Sequence, residues 1–152
     1  MSDTGEMSGA LILAKALVKA SEGCRLVAYQ DSVGVWTIGY GHTGAGVHAG
    51  LIITQEQAEG LLEADLAIAQ SGAVSLSPTL STTVHKQAAI IDFIFNLGAH
   101  RYEHSTLRAL IDTGHWGAVP AELMKWVWAG GKVLPGLTKR RTAEGNLWQL
   151  PD

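Results

Sequence analysis

The sequence predicts an α+β protein, mostly α, with one small β-hairpin sheet. Three observations carry this. Most of the chain repeats apolar residues at three- to four-residue spacing, the period of a helix with one buried face. Only one stretch, RLVAYQDSVGVWTIGY, switches to β-branched and aromatic residues around turn chemistry. Glycines and prolines fall between these segments rather than inside them. The 152 residues, 47% of them apolar, suit a single domain spanning 1–152. A domain of that size buries about two-thirds of its unfolded surface.

The elements follow in order. From Gly9, the residues Leu11, Ala14 and Val18 share a helical face, and Gly23 reads as a left-handed stop, which leaves Glu22 at the helix end. The strands RLVAYQ and VWTIGY then flank DSVG, placing Asp31 at the bend of a hairpin. The following GHTGAGVHAG is too glycine-rich for a helix. Thr54 opens the next helix, TQEQAEGLLEADLAIA, with Gln57 at capping-box spacing. Pro78 ends a loop, and STTVHKQAAIIDFIFNLG reads as a largely buried helix stopped by Gly98. Ser105 caps the short helix STLRALIDTG, closed by Gly114. Ala118 to Trp128 reads as an amphipathic helix closed by Gly130 and Gly131, and Pro135 precedes a last helix from about Leu137 to Trp148.

Charge excludes some functions. The net charge is −3, and the locally basic final third, with Lys125, Lys132, Lys139, Arg140 and Arg141, is interrupted by Glu122 and Glu144. No electrostatic footprint for nucleic acid or an anionic membrane results. The opening MSDTGEMSGALILAKALVKA lacks a basic region before its apolar run, which Lys15 and Lys19 break, so neither a signal peptide nor a membrane anchor is expected. Leu66 to Val84 is uncharged but holds Gln70, Pro78 and many hydroxyl residues, reading as a helix end and a loop. The protein is expected to accumulate in cytoplasm. The single cysteine, Cys24, forms no intramolecular disulfide and reads as a buried, inert thiol. Nothing resembles a coiled-coil seam, and a monomer is expected.

Two motifs are set aside on structural grounds. GYGHTG, Gly39 to Gly44, matches G-x-G-x-x-G after a strand, with Asp65 at a suitable distance. A dinucleotide loop opens directly into a helix, whereas the next helical signal waits until Thr54. These glycines read instead as serving tight turns and close approach of a ligand to backbone. HRYEH, His100 to His104, spells a zinc-peptidase pattern, but NLG stops a helix before it and Ser105 starts another after it. Its histidines read as solvated loop residues, and no metal is expected.

Glu22 and Asp31 are different. Any two acids are more often solvated surface charges than catalysts. Here the negative end of a helix dipole disfavours a further negative charge at Glu22, while turn amides and Ser32 favour one at Asp31. Carboxylates in contrasting surroundings are the mark of paired acid and base work, above all in glycoside hydrolysis. Thr37, six residues on, reads either as an ordinary strand residue or as a hydroxyl that holds a water beside a carboxylate.

In the frame E-x8-D-x5-T-x-G-x-G-H, the residues Glu22, Asp31 and Thr37 resemble the catalytic triad of phage-type lysozymes, the endolysins of glycoside hydrolase family 24. ITQEQAEGLLEADL, FIFNLG, STLRALIDTG and GGKVLPGLTKRRTAEGNLW follow in the family's order, so the resemblance covers nearly the whole chain. It implies a lysozyme-like two-lobed fold, with a small hairpin lobe, a larger helical lobe and a peptidoglycan cleft between them. It further implies hydrolysis of the β-1,4 bond between N-acetylmuramic acid and N-acetylglucosamine, with no cofactor. Glu22 would be the general acid, Asp31 the general base and Thr37 the residue that positions water, with inversion at the sugar carbon. His42, Phe95, Asn96 and Thr106 match cleft segments, with core packing for Phe95 and helix capping near Thr106 as the alternatives. His42 and Asp65 match a structural pair, and either Arg140 or Arg141 would approach Glu22.

Many such endolysins begin with a hydrophobic secretion anchor that MSDTGEMSGALILAKALVKA does not resemble. Access to the wall would then need a holin pore, made by a separate protein that this chain does not bind. The rival readings are a lytic transglycosylase, against which Asp31 and Thr37 argue, and a noncatalytic peptidoglycan-binding module.

Overall fold

The computed structural model describes residues 7–152. Residues 1–6, the first part of the segment read as free of a signal peptide, lie outside the described residues. The first helix, α1 (Gly9–Ser21), starts where the Ser8 hydroxyl accepts a hydrogen bond from the Leu11 amide at 3.2 Å. It buries Ala10, Ala14 and Val18, spaced four apart on one face. Its other face carries Lys15 and Lys19, both bound to Glu59 of the next helix, at 3.2 and 2.7 Å. The exit differs from expectation. Glu22 itself leaves the helix in an extended conformation (φ −100°, ψ 132°), with no left-handed turn at Gly23, because the chain runs straight into a strand.

The strand β1 (Arg25–Gln30) pairs antiparallel with β2 (Trp36–Gly39), and β2 with β3 (His42–Thr43), in the order β1-β2-β3. The hairpin thus gains a third strand beyond the expected two. Gly39 (φ 64°) and Gly41 (φ 77°) make the tight β2–β3 connection possible. A register shift between Arg25 and Tyr29 bends β1.

Helix α2 (Gln55–Leu76) begins with the expected capping box, each of Thr54 and Gln57 bonding the other's backbone amide. It extends seven residues past Ala69, because Ala69 and Ala73 continue its buried face and Arg108 donates twice to the Leu76 carbonyl at its end. A 3-10 turn (Pro78–Thr82) leads into α3 (Val84–Leu97), whose residues 87–94 are all buried. Thr83 gives α3 no side-chain cap. The Asp152 carboxylate does so instead, accepting from the Val84 and His85 amides at 3.0 and 2.8 Å.

Gly98 (φ 95°) stops α3 as expected. The next residues correct the sequence reading, for Ala99–Glu103 form a short helix, α4, rather than a loop. Tyr102 explains it: the side chain is fully buried and its hydroxyl lies 2.7 Å from the Ser77 hydroxyl, anchoring the turn. Helix α5 (Thr106–Asp112) carries the expected Ser105 cap, with Gly114 beyond it.

The second correction concerns Ala118 to Trp128. A 3-10 turn (Trp116–Ala118) and a short helix, α6 (Val119–Leu123), take only its first half. The rest opens into a ribbon of β4 (Trp128–Ala129) and β5 (Lys132–Val133). Gly130 and Gly131, at φ 59° and 79°, do not close a helix; two successive left-handed residues suit a two-residue hairpin turn. The final helix, α7 (Pro135–Trp148), starts two residues early, with proline in its first turn.

Helix α3 is the centre of the helical lobe and packs against α1, α2 and α7. Its partner α7 brings charge into the core, where Arg140, Arg141, Glu144 and Asp92 of α3 are all buried. Arg140 donates from Nε and Nη2 to the two Asp92 oxygens, at 3.0 and 2.8 Å. Arg141 Nη2 donates to Glu144 at 2.8 Å and to Asn96 Oδ1 at 2.9 Å. Burial, with the nearby Asp92 carboxylate, pushes the Glu144 carboxyl well above the usual carboxylate range, against the pull of Arg141.

Two stability predictions follow from these contacts. Removing one partner of a buried pair strands the other, so Asp92→Ala is expected to cost about 3–5 kcal/mol in urea unfolding; a loss under 1 kcal/mol would contradict the arrangement. On the surface, hydrogen bonding from Lys19, opposed by partial burial, holds the Glu59 carboxyl down at about 2. A depressed carboxyl stabilises the fold above its unfolded value and loses that contribution as pH falls through the folded one. Between about pH 4.5 and 2 the wild type should therefore lose stability more steeply than Glu59→Gln, by a modest margin since the pair is solvent-screened.

Candidate active site

Glu22 is held by elements from both ends of the chain. It is the first residue beyond α1, and its amide donates to the Val18 carbonyl at 2.7 Å. Its carboxylate meets Arg140 of α7, where Nη1 lies 2.7 Å from Oε2. Of the two arginines expected to approach Glu22, Arg140 does so, while Arg141 points to Glu144 and Asn96. Burial works against the charge of Arg140, but Asp92 and Glu22 together outweigh it and hold the guanidinium above the ordinary arginine value. On its other side Glu22 packs against the β2–β3 turn. A Cβ at Gly41 would stand 3.1 Å from Glu22 Oε1, so the carboxylate occupies the space that any other residue would fill. At Gly41 the group that approaches the backbone is thus this side chain, where the sequence led us to expect a ligand.

Asp31 is held by its own turn. Its Oδ1 accepts from the amides of Val33 and Val35 at 2.9 and 2.8 Å, and its backbone bonds Val35 and Gly34 across the bend. Gly34 takes the left-handed conformation that closes this loop. Among the described residues Oδ2 has no protein partner. Thr37 stands on β2 opposite Tyr29, buried, and its hydroxyl donates to the Val35 carbonyl at 2.9 Å. With its hydrogen committed, that oxygen offers lone pairs only.

Two depressions flank Glu22. One, of about 460 Å³, is lined by Ser21, Glu22, Asn96, Leu137, Lys139 and Arg140. The other, of about 290 Å³, is lined by Gly41, Thr43, Asp65, Ile68, Phe95 and Gly98. Phe95 and Asn96, adjacent at the end of α3, face one each, and Gly41 joins the second to Glu22. His42 Nδ1 lies 2.7 Å from Asp65 Oδ2, tying the sheet to α2 beside the second depression. Thr106 is not brought here. It is exposed at the start of α5 and lines neither depression.

Cys24 corrects another expectation. It is half-buried rather than buried, because the α1–β1 junction leaves one side open, and its Sγ lies 3.6 Å from Gln55 Oε1. Asp92, which fixes Arg140, was not singled out from the sequence. Its signal was there: an acid inside the otherwise uncharged run AAIIDFIFNL, four residues from Asn96.

Comparison with known proteins places this architecture. The phage lysozyme family model matches residues 19–144. An endolysin of Acyrthosiphon pisum secondary endosymbiont phage 1 is 41% identical over 137 residues, spanning 88% of this chain and 92% of the relative. The muramidase domain of SpmX from Asticaccaulis excentricus superposes with a TM-score of 0.82 at 30% identity, over 91% of this chain and 95% of that one. The active form of P1 phage endolysin Lyz gives 0.79 at 26% identity, over 90% and 82%. The α+β architecture, a small sheet beside a larger helical lobe, is that of these relatives, and the chain belongs to the phage lysozyme family.

Proposed function

We propose that this lysozyme acts as a phage endolysin, hydrolysing the β-1,4 bond between N-acetylmuramic acid and N-acetylglucosamine in bacterial peptidoglycan. Glu22 is the general acid, Asp31 the general base and Thr37 the residue that positions water. The observation that carries the assignment is the contrast in how the two carboxylates are held. Glu22 is wedged between Arg140, which lines one depression with it, and Gly41, which lines the other, while Asp31 sits on a separate turn with one oxygen pinned by amides and the other open.

In the reaction, protonated Glu22 gives its proton to the glycosidic oxygen as the bond to the sugar carbon breaks. A water attacks that carbon from the opposite face and loses a proton to Asp31 Oδ2, and exchange with solvent resets both groups. Thr37, its own hydrogen donated to Val35, accepts a hydrogen bond from the water and so orients it. Inversion requires the carboxyl groups to stand about 6.5–9.5 Å apart, leaving room for that water. Phe95 and Asn96 are proposed glycan contacts, one in each depression, with His42 a structural partner of Asp65.

Access to the wall through a pore made by a separate holin, from the host cytoplasm, belongs to the same proposal. It is supported by α1, whose Lys15 and Lys19 interrupt the apolar run and are engaged by Glu59 of α2. No helix among the described residues is long and apolar enough to cross a membrane.

Muropeptide release from purified peptidoglycan, read by mass spectrometry, tests the chemistry. Glu22→Gln and Asp31→Asn should each slow release about 10²–10⁴-fold, the usual worth of a positioned proton-transfer group, and wild-type products should carry ordinary reducing ends. Products lighter by one water would instead identify a lytic transglycosylase, and glycan binding without release a noncatalytic module. Gly41→Ala tests the wedge. Strain at a left-handed residue costs about 1–2 kcal/mol, and the new methyl should displace the Glu22 carboxyl, lowering kcat far more than it changes KM. Unaltered kcat would remove Gly41 from the site.

A further inference from the structure

We propose that His100, Glu103 and His104 form a surface site for a zinc(II) ion, separate from the cleft. The spacing H-x-x-E-H places the three side chains at positions i, i+3 and i+4, which share a helical face only if the segment is helical. It is: α4 covers Ala99–Glu103, and the His104 amide donates to the His100 carbonyl at 3.3 Å, closing the turn beneath the pair. One donor atom from each of the three residues lies within 4.8 Å of the others, and the two imidazole rings stand 4.7 Å apart at 64°.

The remaining histidines give the contrast. The chain has six. His42 engages Asp65, His48 the Ala49 carbonyl, His85 Asp152 and His115 the Thr113 hydroxyl, each through Nδ1 at 3.0 Å or less. Among the described residues, only His100 and His104 make no ring hydrogen bond. The carboxylate within reach is that of Glu103, whose Oε1 is 4.0 Å from His104 Nε2. Two unengaged imidazoles and a carboxylate therefore converge on one point.

The donor set suits zinc. Zn–N bonds of about 2.0–2.1 Å in a tetrahedron require nitrogens about 3.3 Å apart, so these atoms must close by roughly 1.5 Å. All three side chains are exposed and free to change rotamer by that amount. Three protein ligands leave a fourth position for water. None of the three lines either depression beside Glu22, so the ion would not take part in glycoside cleavage. It would staple α4, a helix of only five residues, whose first residue, Ala99, lines the second depression together with Gly98. The expected effect is a stiffer wall on that side of the cleft and a more stable protein in the presence of zinc.

Titration of the chelator-dialysed, untagged full chain with zinc chloride tests this, followed by calorimetry and by histidine side-chain NMR. One ion per chain is expected, shifting the ring resonances of His100 and His104 and leaving those of His42 and His85 in place. His100→Ala and His104→Ala should each weaken binding by about tenfold or more, the scale on which even outer-shell partners of a metal are felt. Glu103→Gln, which keeps the helix and both imidazoles, should weaken it as well. Zinc should also raise the Tm of the wild type but not of the His100→Ala/His104→Ala variant. No binding at millimolar zinc, or unchanged binding by that double variant, such as Cys24 would produce, overturns the proposal.

Discussion

The structure turns on one guanidinium. Arg140 is almost fully buried, and a cation in that position is tolerable only if its donors are met and its charge is balanced. Asp92 supplies a bidentate partner from α3, and Glu22 takes the remaining arm from the end of α1. Three helices are thereby fixed relative to one another by groups that have no cheaper alternative. Apolar contacts hold α3 against its neighbours, yet such contacts tolerate sliding and repacking. The fork of Arg140 does not, and it sets the carboxyl of Glu22 to within a hydrogen-bond length. Structural pairing and orientation of the proposed acid are here one interaction.

The second carboxylate is organised on a different principle. Asp31 borrows nothing from the helical lobe; two amides of its own turn hold it, and Gly34 lets that turn close. The proposed acid is thus set by long-range burial and the proposed base by local backbone geometry. The β2–β3 turn joins the two, since Gly41 lies against Glu22 while Thr37 on the preceding strand lies near the Asp31 loop. The sheet acts as the spacer on which the separation of the carboxyl groups depends.

Local signals in the sequence were legible where local physics decides. The Thr54 and Gln57 box, the Ser105 cap and the Gly98 stop all read correctly because each is a backbone requirement met within a few residues. The misreadings have a common cause. At Ala118 to Trp128 the apolar spacing resembled a helix, and only the paired left-handed glycines signal the ribbon that forms. At HRYEH a short segment between two stop signals looked like a loop, but a buried Tyr102, held to Ser77, imposes a helical turn from outside. Asp92 shows the limit more sharply. Its neighbours mark it as an acid in an apolar run, but that it meets Arg140, 48 residues later, is a fact of packing. Glu22, Asp31 and Thr37 stood out through their spacing, whereas the depressions on either side of Glu22 became visible only with the fold.

The pairing of Glu22 with Arg140 spans 118 residues of chain. Closing a loop of that length costs on the order of 4 kcal/mol in chain entropy, and contacts so far apart in sequence form late in folding. During synthesis, α1 and the sheet leave the ribosome long before α7. Until α7 docks, Glu22 lacks the arginine that orients it, and the Asp92 side chain has no cation to meet. The growing chain therefore carries both carboxylates before the ion pair that orients the proposed acid can form.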